Sequence, residues 1–421
     1  MTAKPNAVVA QSGGPTAVIN SSACGVIQEA IKSGKIDRVL GATNGILGVL
    51  KEDLFDLTAE KPQTIEALKQ TPSAAIGSCR YKLKSIEESK ADFERILDVF
   101  KAHNIHYFFY AGGNDSMDTA DKVNNLAADA GYELTCMGIP KTVDNDLAFT
   151  DHCPGYPSVA KYVATCSAEA GRDTEALYTT DTCTILEVMG RNAGWIAAAT
   201  GLASRCVEDA PHLIYMPEAA FTFEKFVEDV KQVYKELGRV FIVSGEGLKD
   251  QSGQYITADQ GKFSKDSFGH VQLGGVGAML KAVIESEVGI KARFNLLGTN
   301  QRSAMHFASL TDVNEAYMCG QMAVKAALDG QNGKMITLVR EDDPEYKCTT
   351  GFAELADVAN GEKKVPPEYI NKAGNHITDA MRDYIRPLVH GQALINIGAD
   401  GLPVFMRFER KPLEKKLTPY M

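Results

Sequence analysis

The chain reads as an α/β protein built on parallel sheets with helices on both faces. Three observations carry that reading. Short apolar runs alternate with amphipathic helical stretches, and polar or glycine-bearing turns close several of those runs. At 421 residues the chain is also too long for one ordinary core, so two or three domains are expected.

The elements follow in order. Residues 7–10 (Ala-Val-Val-Ala) are the first strand-like run, and Gln11-Ser12-Gly13-Gly14-Pro15-Thr16 is a tight turn. An amphipathic helical stretch then covers about 17–32. A glycine turn between strand and helix leaves backbone N–H groups free at a helix N-terminus, which suits a phosphate. It is neither G-x-G-x-x-G nor a Walker A loop. Strand-like runs recur at 38–42, 105–111, 134–139, 183–188, 240–244 and 293–298. Helical patterns cover 87–102, 116–130, 157–170, 223–237 and 275–286. Gly77-Ser78-Cys79-Arg80 is another polar turn, and 244–265, rich in Gly, Gln, Ser and Asp, reads as a loop. From Gln331 the periodicity weakens, and 340–375 reads as an elaborated surface region.

Composition narrows the function classes. Hydrophobic content of 44% and charged content of 23% are those of a soluble globular protein. No apolar run approaches the ~20 residues that span a bilayer. The start, Met-Thr-Ala-Lys-Pro-Asn, has no signal-peptide apolar region. Nine cysteines without paired spacing point to reduced thiols in a cytoplasmic compartment. Cys24, Cys136, Cys166 and Cys183 lie among apolar residues and read as core filler, and no Cys/His cluster has zinc spacing. A net charge of −10 argues against nucleic acid as a partner. Any site for a polyanion must then gather its own lysines and arginines.

The organising stretch is Pro140-Lys141-Thr142-Val143-Asp144-Asn145-Asp146, placed where the 134–139 run ends. In an open α/β sheet, ligands bind at the carboxyl ends of strands. Two carboxylates beside a lysine and a threonine form an acid/base and anion-contacting cluster. The same residues would also serve a polar turn with Asp as helix cap. A second turn, Gly112-Gly113-Asn114-Asp115-Ser116, closes the 105–111 run, and its glycines allow close backbone approach.

With Met189-Gly190-Arg191, Gly245-Glu246-Gly247, Arg293 and Arg302 in that order, the chain resembles the phosphofructokinase family from about Val8 to Asp312. The resemblance implies two Rossmann-like domains with the active site in the cleft between them. It places the phosphoryl donor with residues 1–155, the sugar phosphate with 156–300, and a crossing-back segment with elaboration in 301–421. Asp144 is implied as the general base for the sugar 1-hydroxyl, with Asp146 supporting it near the metal and phosphates. Gly13, Gly14, Arg80 and Gly113 are implied on the donor, and Met189, Gly190, Arg191, Glu246, Arg293 and Arg302 on fructose 6-phosphate, beside Thr142 and Val143. Guanidinium forks suit a phosphate monoester and a lone Glu suits sugar hydroxyls.

Three departures refine the expectation. ATP-using members carry glycine where this chain has Asp115 and Lys141, which is similar to the pyrophosphate-dependent branch. A carboxylate at 115 repels an α-phosphate, and a lysine at 141 neutralises a leaving phosphate. The metal-binding position is Asn114, a poorer ligand than carboxylate, so Mg²⁺ is expected mostly on phosphates and water with help from Asp146 or Asp144. Thr182 stands where the family has an arginine from a neighbouring subunit, and Thr299 where it has His or Tyr. The sugar pocket is therefore altered, and sedoheptulose 7-phosphate joins fructose 6-phosphate as a candidate. The expected activity is reversible phosphoryl transfer from pyrophosphate in glycolysis and gluconeogenesis, by a homo-oligomer (dimer or tetramer). An ATP-dependent enzyme and a non-catalytic paralogue remain the alternatives.

Overall fold

The computed structural model describes residues 4–85, 87–257 and 275–420. Its strands are β1 (Asn6–Gln11), β2 (Val39–Ala42), β3 (Leu54–Asp56), β4 (Ile105–Gly112), β5 (Thr135–Pro140), β6 (Cys183–Val188), β7 (Leu213–Tyr215), β8 (Val240–Gly245), β9 (Ala292–Leu296), β10 (Lys334–Arg340) and β11 (Cys348–Glu354). They form a 7-stranded sheet, β11-β10-β5-β4-β1-β2-β3, and a 4-stranded sheet, β7-β8-β6-β9. Helices flank both, and the fold is α/β as the alternation predicts.

The central strands of the first sheet are buried on both faces. Val8, Ala10, Phe108 and Tyr110 enter one core, while Ala7, Val9, Phe109 and Ala111 enter the other. That period of two explains why these strands read as continuous apolar runs rather than alternating ones. The second sheet repeats the plan with Leu186, Val243 and Trp195 on one side and Ile185, Ile242 and Phe226 on the other.

The parallel reading holds for the core of both sheets, and the structure adds antiparallel edges to one of them. The second sheet is parallel throughout, but the first carries antiparallel strands at both ends, β3 against β2 and β11 against β10. Where periodicity weakens after Gln331, β10 and β11 complete the first sheet, so part of the 340–375 stretch read as surface is a sheet strand. β11 (Cys-Thr-Thr-Gly-Phe-Ala-Glu) is half-exposed, so it lacks the apolar run that marks a strand. Helix Leu310–Leu328 brings the chain back by crossing helix Ile19–Ser33. A Cβ on Gly320 would stand 2.0 Å from the Ser22 carbonyl oxygen, and one on Gly25 2.2 Å from that of Tyr317. Only glycine lets these backbones approach so closely. Of the loop read at 244–265, residues 258–265 lie outside the described residues.

Candidate active site

The carboxyl ends of β1, β4 and β5 lie side by side, because these strands are parallel neighbours. Lys141, 5% exposed, runs beneath the turn after β1, where its Nζ donates to the Gly14 carbonyl at 2.8 Å. A Cβ on Gly13, whose φ is +75°, would sit 3.2 Å from that Nζ. A Cβ on Gly14 would sit 2.8 Å from Arg302 Nη1. The two glycines therefore let an ammonium and a guanidinium reach the turn, a packing requirement as much as a conformational one. Ser78 Oγ donates to the Gly13 carbonyl at 2.6 Å, which draws the 77–80 turn and Arg80 to the same place.

Crowded cations disfavour one another. Burial lowers Lys141 to about 8, and Arg302 and Arg80 push the same way against Asp144 and Asp146. Arg302 is lowered by burial and by Arg80. Such a cluster is built to receive a polyanion.

The turn after β5 presents the carboxylates. Asp144 and Asp146 are half-buried while Asn145 between them is fully buried at φ +55°. Burial raises Asp144, Glu246 adds to the rise, and Lys141, Arg191 and Arg302 oppose it. Burial and the neighbouring Asp144 raise Asp146. A base moved toward neutrality is suited to taking a hydroxyl proton. Asp144 thus feels Glu246 and Arg191 of the second sheet as well as Lys141 of the first, which sets it in the cleft.

On the second sheet, the turns after β6 and β8 interlock. A Cβ on Gly247 would fall 1.7 Å from the Arg191 carbonyl oxygen, so glycine at 247 is required by the Met189-Gly190-Arg191 turn. Burial raises Glu246, and Arg191 pulls it down. Gln301 Oε1 accepts from Met189 N at 3.1 Å, fixing this turn to the segment bearing Arg302.

One expectation needs correction. Arg293 is not brought to the cleft: it opposes Thr184 near the amino ends of β6 and β9. Its guanidinium engages Asp173, Thr184 Oγ1 at 3.1 Å and Asp181 at 3.8 Å. The site uses the carboxyl ends, so strand polarity puts Arg293 at the wrong edge. Thr142 is 8% exposed, and its hydroxyl accepts from Asp144 N at 3.1 Å and hydrogen-bonds Asp146. It organises the turn. The Val143 side chain packs in the apolar core beside the second sheet. Thr299 is exposed, and its carbonyl accepts from Arg302 N at 3.2 Å.

Asp115 lies in the first turn of helix Asn114–Asp129, 3.2 Å from Lys82 Nζ. It is not the helix's N-cap, a position held by Gly113. Sequence reasoning missed Asn145, Gln301 and Lys363. The only signal for Asn145 was its place between two aspartates, where Asn tolerates a left-handed φ.

The residues at the metal position fit a cation sparingly. Asn114 Nδ2 donates to the Gly361 carbonyl at 3.2 Å, leaving Oδ1 buried with no hydrogen-bond partner among the described residues. Asp146 and Asp144 are the nearby carboxylates whose charge burial disfavours. No cluster of three or more His, Cys, Asp or Glu poised for a metal occurs among the described residues. Nor is any described helix long and apolar enough to cross a membrane.

A glycine-cradled cation cluster beside an aspartate whose ionisation burial disfavours, with Glu246 and Arg191 reaching it from the second sheet, defines a phosphotransferase site. The chain belongs to the phosphofructokinase family, whose model (Phosphofructokinase) matches residues 6–344. It is 48% identical to a pyrophosphate–fructose 6-phosphate 1-phosphotransferase of Xanthomonas campestris, over 99% of both chains. A second protein of that name, from Halomonas elongata, is 46% identical over 99% of each. A crystal structure of a pyrophosphate-dependent phosphofructokinase from Nitrosospira multiformis superposes with a TM-score of 0.91, at 43% identity and complete coverage of both chains.

Proposed function

We propose that the protein catalyses reversible phosphoryl transfer between pyrophosphate and the 1-hydroxyl of fructose 6-phosphate, giving fructose 1,6-bisphosphate and phosphate. The observation that carries this is the buried Lys141 ammonium against the Gly13–Gly14 turn, with Arg80 and Arg302 beside it. The relatives of that name support the same reaction.

Pyrophosphate lies along Gly13, Gly14, Gly113, Arg80 and Lys141, where its charge relieves the repulsion among the cations. The sugar phosphate lies against Met189, Gly190 and Arg191, with Glu246 on its hydroxyls. Asp144 takes the proton as the 1-oxygen attacks the terminal phosphorus. The bridging P–O bond breaks, and the leaving phosphate carries its charge to Lys141. Arg302, expected on the sugar phosphate, stands instead against the donor turn with its charge reaching Asp144, and there it faces the phosphoryl group in transit. Asn114 Oδ1 and Asp146 would hold Mg²⁺, which screens phosphate charge. The donor unit is residues 1–155, the sugar unit 156–300, and 301–421 crosses back.

We place the protein in the cytoplasm as a homo-oligomer. Nine free cysteines support the first, and exposed Leu394, Ile397, Leu402 and Val404 near the C-terminus support the second. A coupled assay of purified protein tests the reaction. Pyrophosphate should support turnover with fructose 6-phosphate, and comparison with sedoheptulose 7-phosphate fixes the sugar. Turnover with ATP exceeding that with pyrophosphate would refute the donor assignment.

A further inference from the structure

Residues 361–365 belong to no helix or strand, yet they are tied down at successive points. The Gly361 carbonyl accepts from Asn114 Nδ2 at 3.2 Å. Lys363 N donates to the Asp146 carbonyl at 2.8 Å. The Lys363 carbonyl accepts from Trp195 Nε1 at 3.1 Å, and Val365 N donates to Glu218 Oε1 at 3.0 Å. Asn114 and Asp146 follow strands of the first sheet, whereas Trp195 and Glu218 follow strands of the second. The segment crosses from one wall of the cleft to the other.

The Lys363 side chain turns inward behind the catalytic loop. Its Nζ donates to Asn145 Oδ1 at 3.3 Å, the Thr150 carbonyl at 3.1 Å and the Asp151 carbonyl at 2.8 Å. An ammonium has three donors, and all three are spent here. The ammonium also lies 5.2 Å from the Trp195 ring centroid. Asn145 gains further anchors: its Oδ1 accepts from Cys153 N at 2.9 Å and its Nδ2 donates to Tyr384 Oη at 3.2 Å. A non-glycine residue at φ +55° persists when its surroundings over-determine it. Lys363 grips this turn twice, through its backbone at Asp146 and through its side chain at Asn145.

We propose that residues 361–365 form a strap across the cleft and that Lys363 is a positioning residue for Asp144 and Asp146. With its three donors spent on this loop, it acts through the loop and not on a substrate. By locking Asn145 inward it fixes the direction in which the flanking carboxylates point. The same strap orients the Asn114 amide and ties both to the sugar-binding wall. This assignment rests on the phosphotransferase reading, since it names Asp144 as the base being aimed.

The test uses the full-length protein. Lys363→Met keeps an unbranched stem and removes the three donors. Asn145→Gly keeps access to the positive φ and removes the side chain through which Lys363 holds the turn. Each should lower kcat with pyrophosphate about 10–100-fold, the scale of a misplaced base, with both Michaelis constants within about threefold of wild type. The double variant should lose little more than the worse single one, because both act on one turn. Hydrogen exchange over residues 142–153 should quicken about tenfold in each variant while β1 and β4 keep their protection. A kcat within twofold of wild type, Michaelis constants rising as kcat falls, or unchanged exchange over 142–153 would each overturn the proposal. Should Lys363→Met fail to fold, Asn145→Gly carries the test alone. Should the wild type prove inactive with pyrophosphate, the reaction assignment fails while the exchange comparison still decides the strap.

Discussion

The two ends of the second sheet differ in a way that the sequence around β9 conceals. Arg293 lies near the start of that strand and Arg302 follows it, and both carry the same guanidinium. Parallel strands share a direction, so all their carboxyl ends reach the cleft and all their amino ends face away from it. Arg302 therefore stands against Gly14 and Asp144, whereas Arg293 is held by Asp173, Thr184 and Asp181. Position along a parallel strand decides which basic residue can serve chemistry.

The largest expected effect is at the carboxyl-end cluster. Asp144→Asn should keep the fold and the binding of sugar phosphate while lowering kcat about 10²–10⁴-fold, the usual weight of acid–base catalysis. Steady-state kinetics and a thermal melt check both halves of that statement. A kcat within threefold of wild type would remove Asp144 as the base.

Next come the arginines themselves. A charge-assisted contact is worth about 1.5–3 kcal/mol, so Arg302→Ala should cost roughly 10–150-fold in kcat/KM. Because Arg302 lies at the donor turn and near the base, the loss should appear with either substrate varied. Arg293→Ala should leave kcat/KM within about threefold, since its ion pairs are partly exposed surface ones. A selective rise in the Michaelis constant for sugar phosphate in Arg293→Ala would break the comparison. It would mean that a second copy receives this arginine.

How much of this was legible follows the same physical line. β1, β4, β5, β6 and β8 were readable because strands buried on both faces must be apolar throughout. β3 and β7 have only 3 residues each, too few for a pattern. β10 and β11 complete a sheet begun far upstream, and no local signal carries that pairing. In the site, Gly13, Gly14, Lys141 and Asp144 could be read because each obeys a local rule about turns or strand ends. Lys363 could not be, since its bond to Asn145 spans 218 residues. Gln301 reaches Met189 across 112 residues and was invisible for the same reason.

The pH profile sharpens the contrast between acids and bases within the cleft. Asp144 must be ionised to accept a proton, and its ionisation is shifted upward by burial and by Glu246. The profile of kcat/KM should therefore fall on the acid side above the ordinary carboxylate range of about 4. Lys141 must be charged, and burial lowers it to about 8, so activity should fall again as pH rises through that region. Glu246→Gln should move the acid limb down by removing a like charge. Lys141→Arg should move the alkaline limb up, because a guanidinium keeps its proton. Limbs unmoved by both changes would assign them to other groups.

A more modest effect than at Asp144 belongs to donor choice at Asp115. A bare carboxylate ~4 Å from an α-phosphate costs roughly 4 kcal/mol at an effective dielectric of 20, which would exclude ATP almost completely. Asp115 is not bare, since Lys82 Nζ lies 3.2 Å away with side-chain exposures of 47% for the lysine and 25% for the aspartate. A pair that open to water keeps part of its charge screened, and its field falls off as that of a dipole. Asp115→Gly should then raise the ratio of ATP to pyrophosphate turnover by only about tenfold, near 1.4 kcal/mol. Lys82→Ala unmasks the carboxylate and should lower the same ratio. The two variants must move it in opposite directions if charge at 115 governs the donor. Movement in the same direction would show that Asp115 acts by shape or through the helix start, leaving Lys141 as the residue that selects pyrophosphate.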